Sequence, residues 1–431
     1  MHLQTCHFGV VALEGQVFPP QQDAIFPFLS VPFSPFPVPP AVEDWDMLEK
    51  LWDHAVGPRL GIKTSDHPVL LTEKPFNTPH RRHRSTELIF EKYGAPALFV
   101  SKDAVLSCFA VGRTTGVVLD IGGGSTTVTP VYDGWAERRG VVASLLGGDA
   151  LHAYCLALLQ QRGVEIANPF PGFTAAAVAA GAAPGPGADV NGGHPSYLGY
   201  MRREVARDVM EHNARVLETP LAETPAAFLA GVPSMPYQLP DGTEIQVGSD
   251  RFTALEVLFD TSWVAAAATG GGGAGAAAAA AAGGATCGTL EGSDGSSSSS
   301  SSGSRQTPAQ LLAALTMRAG FVQQPLEGML YDSVTAAKDS GGGVSKDALL
   351  SNVVLAGGGS CFEGMAERVK AEVERLSPGA KKLPAANPAE RKILTWLGGS
   401  ILASLGSFHE MWLSKADYEE HGAFLIDKKC P

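Results

Sequence analysis

The chain has no paired cysteines. Its six (Cys6, Cys108, Cys155, Cys287, Cys361 and Cys430) lie far apart and form no CxxC. That spacing excludes a disulfide framework and a thiolate metal knuckle, and fits a reducing compartment. Basic charge is also scarce. Lys and Arg number 32 against 44 Asp and Glu, a formal charge of -12, which argues against direct phosphate-driven binding to nucleic acid. The one dense basic run, His80-Arg81-Arg82-His83-Arg84, reads as a solvated loop. A basic start followed by an apolar run, the mark of a signal peptide, is missing from the first residues. The one low-charge stretch, Val264 to Ala282, is Ala and Gly, too poor in large apolar side chains to gain from lipid. A soluble chain with no membrane partner is expected.

What is present suffices for a large fold. With 431 residues, 45% of them hydrophobic, the chain is too long for one simple core and predicts two lobes. Residues 1–40 are crowded with proline (Pro19, Pro20, Pro27, Pro32, Pro35, Pro37, Pro39, Pro40), which predicts an extended, mostly unfolded leader. Alternating helix and strand patterns run from Val42 to Arg162. An Ala/Gly/Pro-rich excursion occupies 166–195, and globular patterning resumes from Tyr197 to Phe259. Between about Trp263 and Ser304 the chain is Ala/Gly runs and a serine tract, which cannot bury enough apolar surface to offset its ordering entropy. Residues 307–431 are again strongly patterned.

The sharpest local feature is GRTTGVVLDIGGGSTTVTPVYDG, Gly112 to Gly134. It reads as a strand to Asp120, a tight turn over Ile121–Ser125, and a β-branched return strand Thr126–Tyr132. Three successive glycines let backbone N–H groups surround an anion, and Asp120 at the strand end is placed to hold a water-coordinated divalent cation beside it. The turn lacks GK[ST] and enters a strand, so it is neither a Walker loop nor a dinucleotide fingerprint. A lone Gly-rich hairpin is more often only a turn.

A second glycine turn raises the odds. NVVLAGGGSCFEGMAERVKAEVERLSP, Asn352 to Pro378, reads as strand, Gly357-Gly358-Gly359 turn, then a helix with Met365, Val369, Val373 and Leu376 on one face. A glycine turn opening a helix is a natural seat for phosphate. The segment Glu390 to Trp412 carries an apolar stripe, Ile401, Leu402, Leu405, Phe408 and Trp412. Its small residues Ala403, Ser404, Gly406 and Ser407 would admit another element closely.

Together LDIGGG, VLAGGGSCFEG and WLGGSILASLGSFHEMWLSKADYEEHG resemble the actin family. So do HPVLLTEKPFNTPHRRHRSTELIFEKY (67–93), REVARDVMEHNARV (203–216) and YQLPDGTEIQVGSDRF (237–252). VEDWD (42–46), GVVASLLGGD (140–149) and SILASLG (400–406) are most similar to its nuclear actin-related branch. The resemblance implies an α/β, two-lobed actin-like ATPase fold of duplicated ribonuclease-H-like domains. It implies a small-lobe subdomain from 41–110 and 394–431, an inner large-lobe subdomain from 111–165 and 307–393, and an outer one from 166–262. Residues 1–40 would stand as leader and 263–306 as insert. The family's first phosphate hairpin, of Asp-x-Gly-Ser/Thr type, and the outer small-lobe subdomain are missing.

By position, Asp120, Gly122, Gly123, Gly124 and Ser125 would take the phosphates of ATP, with Asp120 reaching magnesium through water. The adenosine side would be lined by Gly163, Met210, Glu211, Gly357, Gly358 and Lys392. A partner groove would draw on Phe109, Gly112, Thr114, Gly134 and Trp135, and on Leu402, Leu405, Ser407 and Met411, to receive an amphipathic scaffold helix. Several positions depart from conventional actin. Asp103 replaces the Gln that positions the attacking water, Thr127 replaces a nearby His, Gly123 an acidic residue beside the metal, and Met210 a Lys. Those losses predict little or no ATP hydrolysis, with nucleotide acting as a structural ligand. The resemblance therefore implies a nuclear, non-catalytic subunit of chromatin-remodelling and histone-acetyltransferase complexes, with actin and a scaffold helix as partners and chromatin reached indirectly. A filament-forming cytoskeletal actin is the second reading, and a phosphotransferase of the sugar-kinase and heat-shock superfamily the third.

Overall fold

The computed structural model describes residues 8–11, 25–28, 44–164, 166, 195–240, 242–262, 307–316, 324–339, 345–377 and 387–430. The insert 263–306 and most of the excursion 166–195 lie outside them. The chain forms two compact units, Met1–Asp149 with Arg318–Pro431, and Ala150–Met317.

The first unit opens with strands β1 (Phe8–Val11) and β2 (Ile25–Phe28), helix α1 (Trp45–His54), strand β3 (Val69–Glu73) and helix α2 (Pro79–Glu87). Strand β4 (Ala97–Lys102), helix α3 (Asp103–Ala110), and strands β5 (Gly116–Ile121), β6 (Thr126–Tyr132), β7 (Trp135–Ala136) and β8 (Val142–Ser144) follow. Helix α4 (Gly148–Gln161) leads into the second unit, which holds helix α5 (Pro195–Asn213) and an antiparallel hairpin of β9 (Met235–Gln238) and β10 (Glu244–Val247). Strand β11 (Val353–Ala356) and helices α6 (Met365–Leu376) and α7 (Leu394–Ala403) belong to the first unit again, with strand β12 (Leu413–Ser414) and helix α8 (Ile426–Lys429).

Two five-stranded sheets organise the first unit. One runs β12-β4-β3-β1-β2, and in the other β11-β5-β6-β7 is joined by β8 on β6. The pairs β3–β4 and β5–β11 are parallel, and each is buried along most of its length, as parallel strands require. Helix α3 links the two cores. Its Leu106 faces the first, while Ala104, Val105 and Cys108 pack with Val118, Val131 and Val354 in the second. Helix α7 divides in the same way, with Ala403 in the first core and Leu394 in the second.

Four expectations change. Two stretches of the proline-rich leader are paired strands: β1 meets β2 antiparallel and touches β3 at Val11↔Leu70. Pro27 is tolerated because β2 is an edge strand, where a missing N–H costs least. The segment joining them, 12–24, lies outside the described residues and contains no Asp-x-Gly-Ser.

The basic run is helical, not a loop. Thr78 caps α2 through the Arg81 N–H at 3.5 Å and Pro79 starts it. Its Arg82 is buried, bound to Glu73 at 3.0 Å and Asp427 at 3.1 Å, with a further bond to the Cys430 carbonyl. The apolar stripe that begins in α7 and runs on to Trp412 is also split: Phe408 and Trp412 enter the core against Phe99, whereas Ile401 and Leu405 stay exposed.

The close approach in this segment occurs at Gly398, not at the small residues after it. A Cβ there would lie 1.8 Å from the Leu106 carbonyl oxygen, so α7 and α3 meet backbone to backbone. Gly406 faces open space. Gly398→Ala is expected to lower stability by about 3 kcal/mol or more, because backbone cannot yield as a flexible side chain would. Gly406→Ala should change it by less than about 1 kcal/mol. Thermal denaturation of the two variants checks the contrast, and equal melting temperatures would remove the α3–α7 contact.

Candidate functional site

The two glycine turns leave neighbouring parallel strands. Register β5–β11 sets Ala356 beside Asp120, so both chains turn at the same sheet edge. The first turn closes with the Gly122 N–H on the Ser125 carbonyl at 3.0 Å, and its outer carbonyls accept from Gly148 and Asp149 N–H groups at 2.9 and 2.8 Å. The second turn packs directly onto the first. Gly357 has φ +83°, and a Cβ on it would lie 2.4 Å from both Asp120 Oδ1 and the Ile121 carbonyl oxygen. Gly359 meets the Ile121 side chain at the same distance. Glycine is thus required by conformation and by space at Gly357.

The structure therefore brings together Asp120, Gly122, Gly123, Gly124, Ser125, Gly357, Gly358 and Lys392, the last with its Cε 4.0 Å from where a Gly358 Cβ would stand. Ser125 is buried, and its hydroxyl has no hydrogen-bond partner among the described residues. A buried hydroxyl beside a glycine turn fits a phosphate oxygen as its missing partner. Gly163, Met210 and Glu211 belong to the second unit, where Gly163 has φ +78°, Met210 is buried and Glu211 exposed. One detail differs from expectation. The second turn enters a 3₁₀ turn, Gly358–Cys361, and α6 starts only at Met365, so no α-helix dipole begins at the glycines.

The electrostatics hold the residue that sequence reading missed. Lys74 follows β3 directly, and Asp103 follows the parallel neighbour β4. The Lys74 Nζ lies 2.8 Å from Asp103 Oδ2 and 2.5 Å from Asp120 Oδ2. Burial disfavours the Lys74 ammonium, but Asp103 and then Asp120 more than offset it, holding its pKa above the ordinary lysine value. Burial pushes the Asp103 carboxyl above the usual carboxylate range, against the pull of Lys74. A signal existed in the sequence: a Lys one residue past a strand whose parallel partner ends in Lys102-Asp103.

This arrangement does not fit magnesium on Asp120, the expected water-mediated ligand. A divalent ion about 4 Å from the Lys74 ammonium would be repelled by on the order of 8 kcal/mol at an effective dielectric constant near 20. Among the described residues no group of three or more His, Cys, Asp and Glu could hold a metal.

The expected groove residues share the first unit. Gly134 donates its N–H to the Thr114 carbonyl at 2.8 Å, a Cβ on it would touch the Phe109 ring, and Gly112 donates to the Phe109 carbonyl. Phe109 and Leu402 border one core cluster. Trp135, Leu405 and Met411 are 55%, 49% and 44% exposed, large apolar side chains left in solvent, and Ser407 is exposed as well.

Two sheets in one unit, each built around a parallel pair, with paired glycine turns at the second, define the class: an α/β protein of actin-like ATPase fold. The chain belongs to the actin family, whose pattern it matches over residues 39–431. It is similar to Actin-related protein 4 of Arabidopsis thaliana, 34% identical over 393 residues, covering 90% of this chain and 78% of that protein. Actin-related protein 4 of Oryza sativa subsp. indica is 37% identical over 393 residues, covering 90% and 77%. The Mycosarcoma maydis protein of the same name is 32% identical over 383 residues, covering 86% and 67%. Among the described residues no helix is long and apolar enough to cross a membrane.

Gly357→Ala is expected to cost roughly 3 kcal/mol through left-handed strain and overlap with Asp120 and Ile121. Gly358→Ala, with only Lys392 nearby, should stay within about 1 kcal/mol of the parent. Denaturant unfolding measures both, and a tolerated Gly357→Ala would show that the turns do not pack as described.

Proposed function

We propose that this chain is a non-catalytic actin-related subunit of nuclear chromatin-remodelling and histone-acetyltransferase complexes. It pairs with actin on a scaffold helix, reaches chromatin only through the complex, and holds ATP as a structural ligand. The observation that carries the reading is the convergence at one sheet edge of two closely packed glycine turns with carboxylates already committed to Lys74. Two glycine turns bring bare backbone together, and the orphaned Ser125 hydroxyl beside them offers an O–H donor to an anion. Asp103, at the position that would orient the attacking water, is instead tied to Lys74 and to the Ala104 N–H at 2.7 Å. A carboxylate held in two bonds does not orient a nucleophile, and phosphoryl transfer depends on that positioning. When bound, ATP supplies a polyphosphate anion that joins the elements contacting it, and the folded state gains stability by mass action.

The likeness to proteins called Actin-related protein 4 supports the choice of subunit over filament. The exposed Trp135, Leu405 and Met411 support helix capture, since an amphipathic helix buries such side chains at little structural cost to its host. Nuclear residence follows from that assignment.

Two outcomes are expected. ATP at about a hundred times its dissociation constant should stabilise the protein by about 2.7 kcal/mol while no phosphate is released above background. Turnover abolished by Asp120→Ala would overturn the non-catalytic assignment. Leu405→Asp should weaken actin and scaffold co-purification by at least about tenfold with an unchanged melting temperature, because a charge replaces an exposed apolar anchor. Unchanged co-purification would remove the groove.

A further inference from the structure

The Lys74 ammonium stands where the carboxylates of the phosphate site converge. Lys74 leaves the end of β3, Asp103 the end of β4, and Asp120 is the penultimate residue of β5, so three strands from two sheets aim charge at one point. Both contacts are charge-assisted, at 2.8 and 2.5 Å, and all three side chains are largely buried. The remaining oxygens are each confined in a different way. Asp103 Oδ1 accepts from the Ala104 N–H at 2.7 Å, and Asp120 Oδ1 lies against Gly357, where even a methyl group would collide. Asp120 thus has one oxygen on an ammonium and the other against the second glycine turn.

A hydrated divalent ion needs carboxylate oxygens free to accept from its waters, and a fixed positive charge beside those oxygens weakens its binding. Here one oxygen of each carboxylate is held by the Lys74 ammonium, and that same charge stands beside any ion placed between them. A bound phosphate still needs positive charge, and an ammonium supplies it as a compact point charge. A further acid near the first turn is Asp149, whose Oδ1 lies 4.0 Å from where a Gly123 Cβ would stand, and a further cation near the second turn is Lys392.

We propose that Lys74 is the resident cation of this site: tethered to Asp103 and Asp120, it takes the place of a divalent metal, and the glycine cradle accepts its polyphosphate ligand metal-free. The ligand half of this statement rests on the nucleotide reading above, whereas the cation half does not. A parent protein of this kind binds no Mn2+ through Asp120. Replacing Lys74 by an uncharged residue of similar length frees two carboxylates around one point and creates a divalent site.

Two measurements on the full chain separate the halves. In the first, Mn2+ alone is titrated into the parent, Lys74→Met, Lys74→Arg and Asp120→Asn proteins, and free Mn2+ is followed by its solution EPR signal. Lys74→Met should gain a site at least about tenfold tighter than anything in the parent, as removal of a fixed positive charge predicts, and Lys74→Arg should gain none. Mn2+ bound by the parent and lost in Asp120→Asn overturns the proposal, even if Lys74→Met fails to fold. In the second, ATP binding is measured in EDTA and in Mg2+. The parent affinity should agree within about threefold between them, while Lys74→Met should require the metal. ATP binding by the parent that disappears in EDTA overturns the metal-free cradle. ATP binding by neither protein under either condition defeats the nucleotide reading, and the Mn2+ titration then decides the cation alone.

Discussion

The parallel pairing of β5 with β11 is the constraint on which the functional reading of this molecule depends. More than two hundred residues separate the two strands in sequence, yet register places Ala356 against Asp120 and forces their glycine turns to leave the sheet side by side. At that spacing a side chain on Gly357 or Gly359 would collide with the first turn, so bare backbone is the only way to fill the junction. The same absence of side chains is what a backbone cradle for an anion would require. Packing alone already requires glycine at Gly357 and Gly359, and the proposed binding of an anion would ask for the same bare backbone.

Charge at the end of the first sheet is organised by strand register. In β3–β4, Glu73 lies opposite Lys102, and the buried pair they form is joined by Arg82 and through it by Asp427 near the C-terminus. One residue further on, Lys74 and Asp103 repeat the pairing with the signs exchanged, and Asp120 from the other sheet joins them. The first cluster ties α8 to the sheet, since removing one member would strand a buried charge. The second sets one ammonium between two carboxylates beside the glycine turns, the arrangement from which exclusion of a divalent ion is proposed. Two adjacent residue pairs of similar composition therefore do different work, one structural and one at the site.

Much of this was legible in advance, in particular places and for particular reasons. The strand–turn–strand around Gly122–Gly124 follows from β-branched runs interrupted by glycine, and the helical face of Met365, Val369 and Val373 follows from periodicity. The basic run around Arg82 was misjudged, because composition counts charges without knowing that Glu73 and Asp427 wait on either side of α2. The strands at Phe8 and Ile25 were hidden by prolines whose cost is small on a sheet edge. Gly398 passed unnoticed among better-placed small residues, since only the crossing of α3 and α7 decides which glycine receives the Leu106 carbonyl.

By itself the sequence determined the family, the α/β character and the two glycine turns, because each is written in residue type and local spacing. Only the tertiary structure decided which distant groups meet. It joined the turns, split the apolar stripe from Ile401 to Trp412 between core and solvent, buried Arg82, and set the Lys74 ammonium between Asp103 and Asp120. The physical reason is one of range. Periodicity and turn chemistry act over a few residues, whereas ion pairs and backbone contacts act over a few ångströms between segments that the chain separates by tens or hundreds of positions.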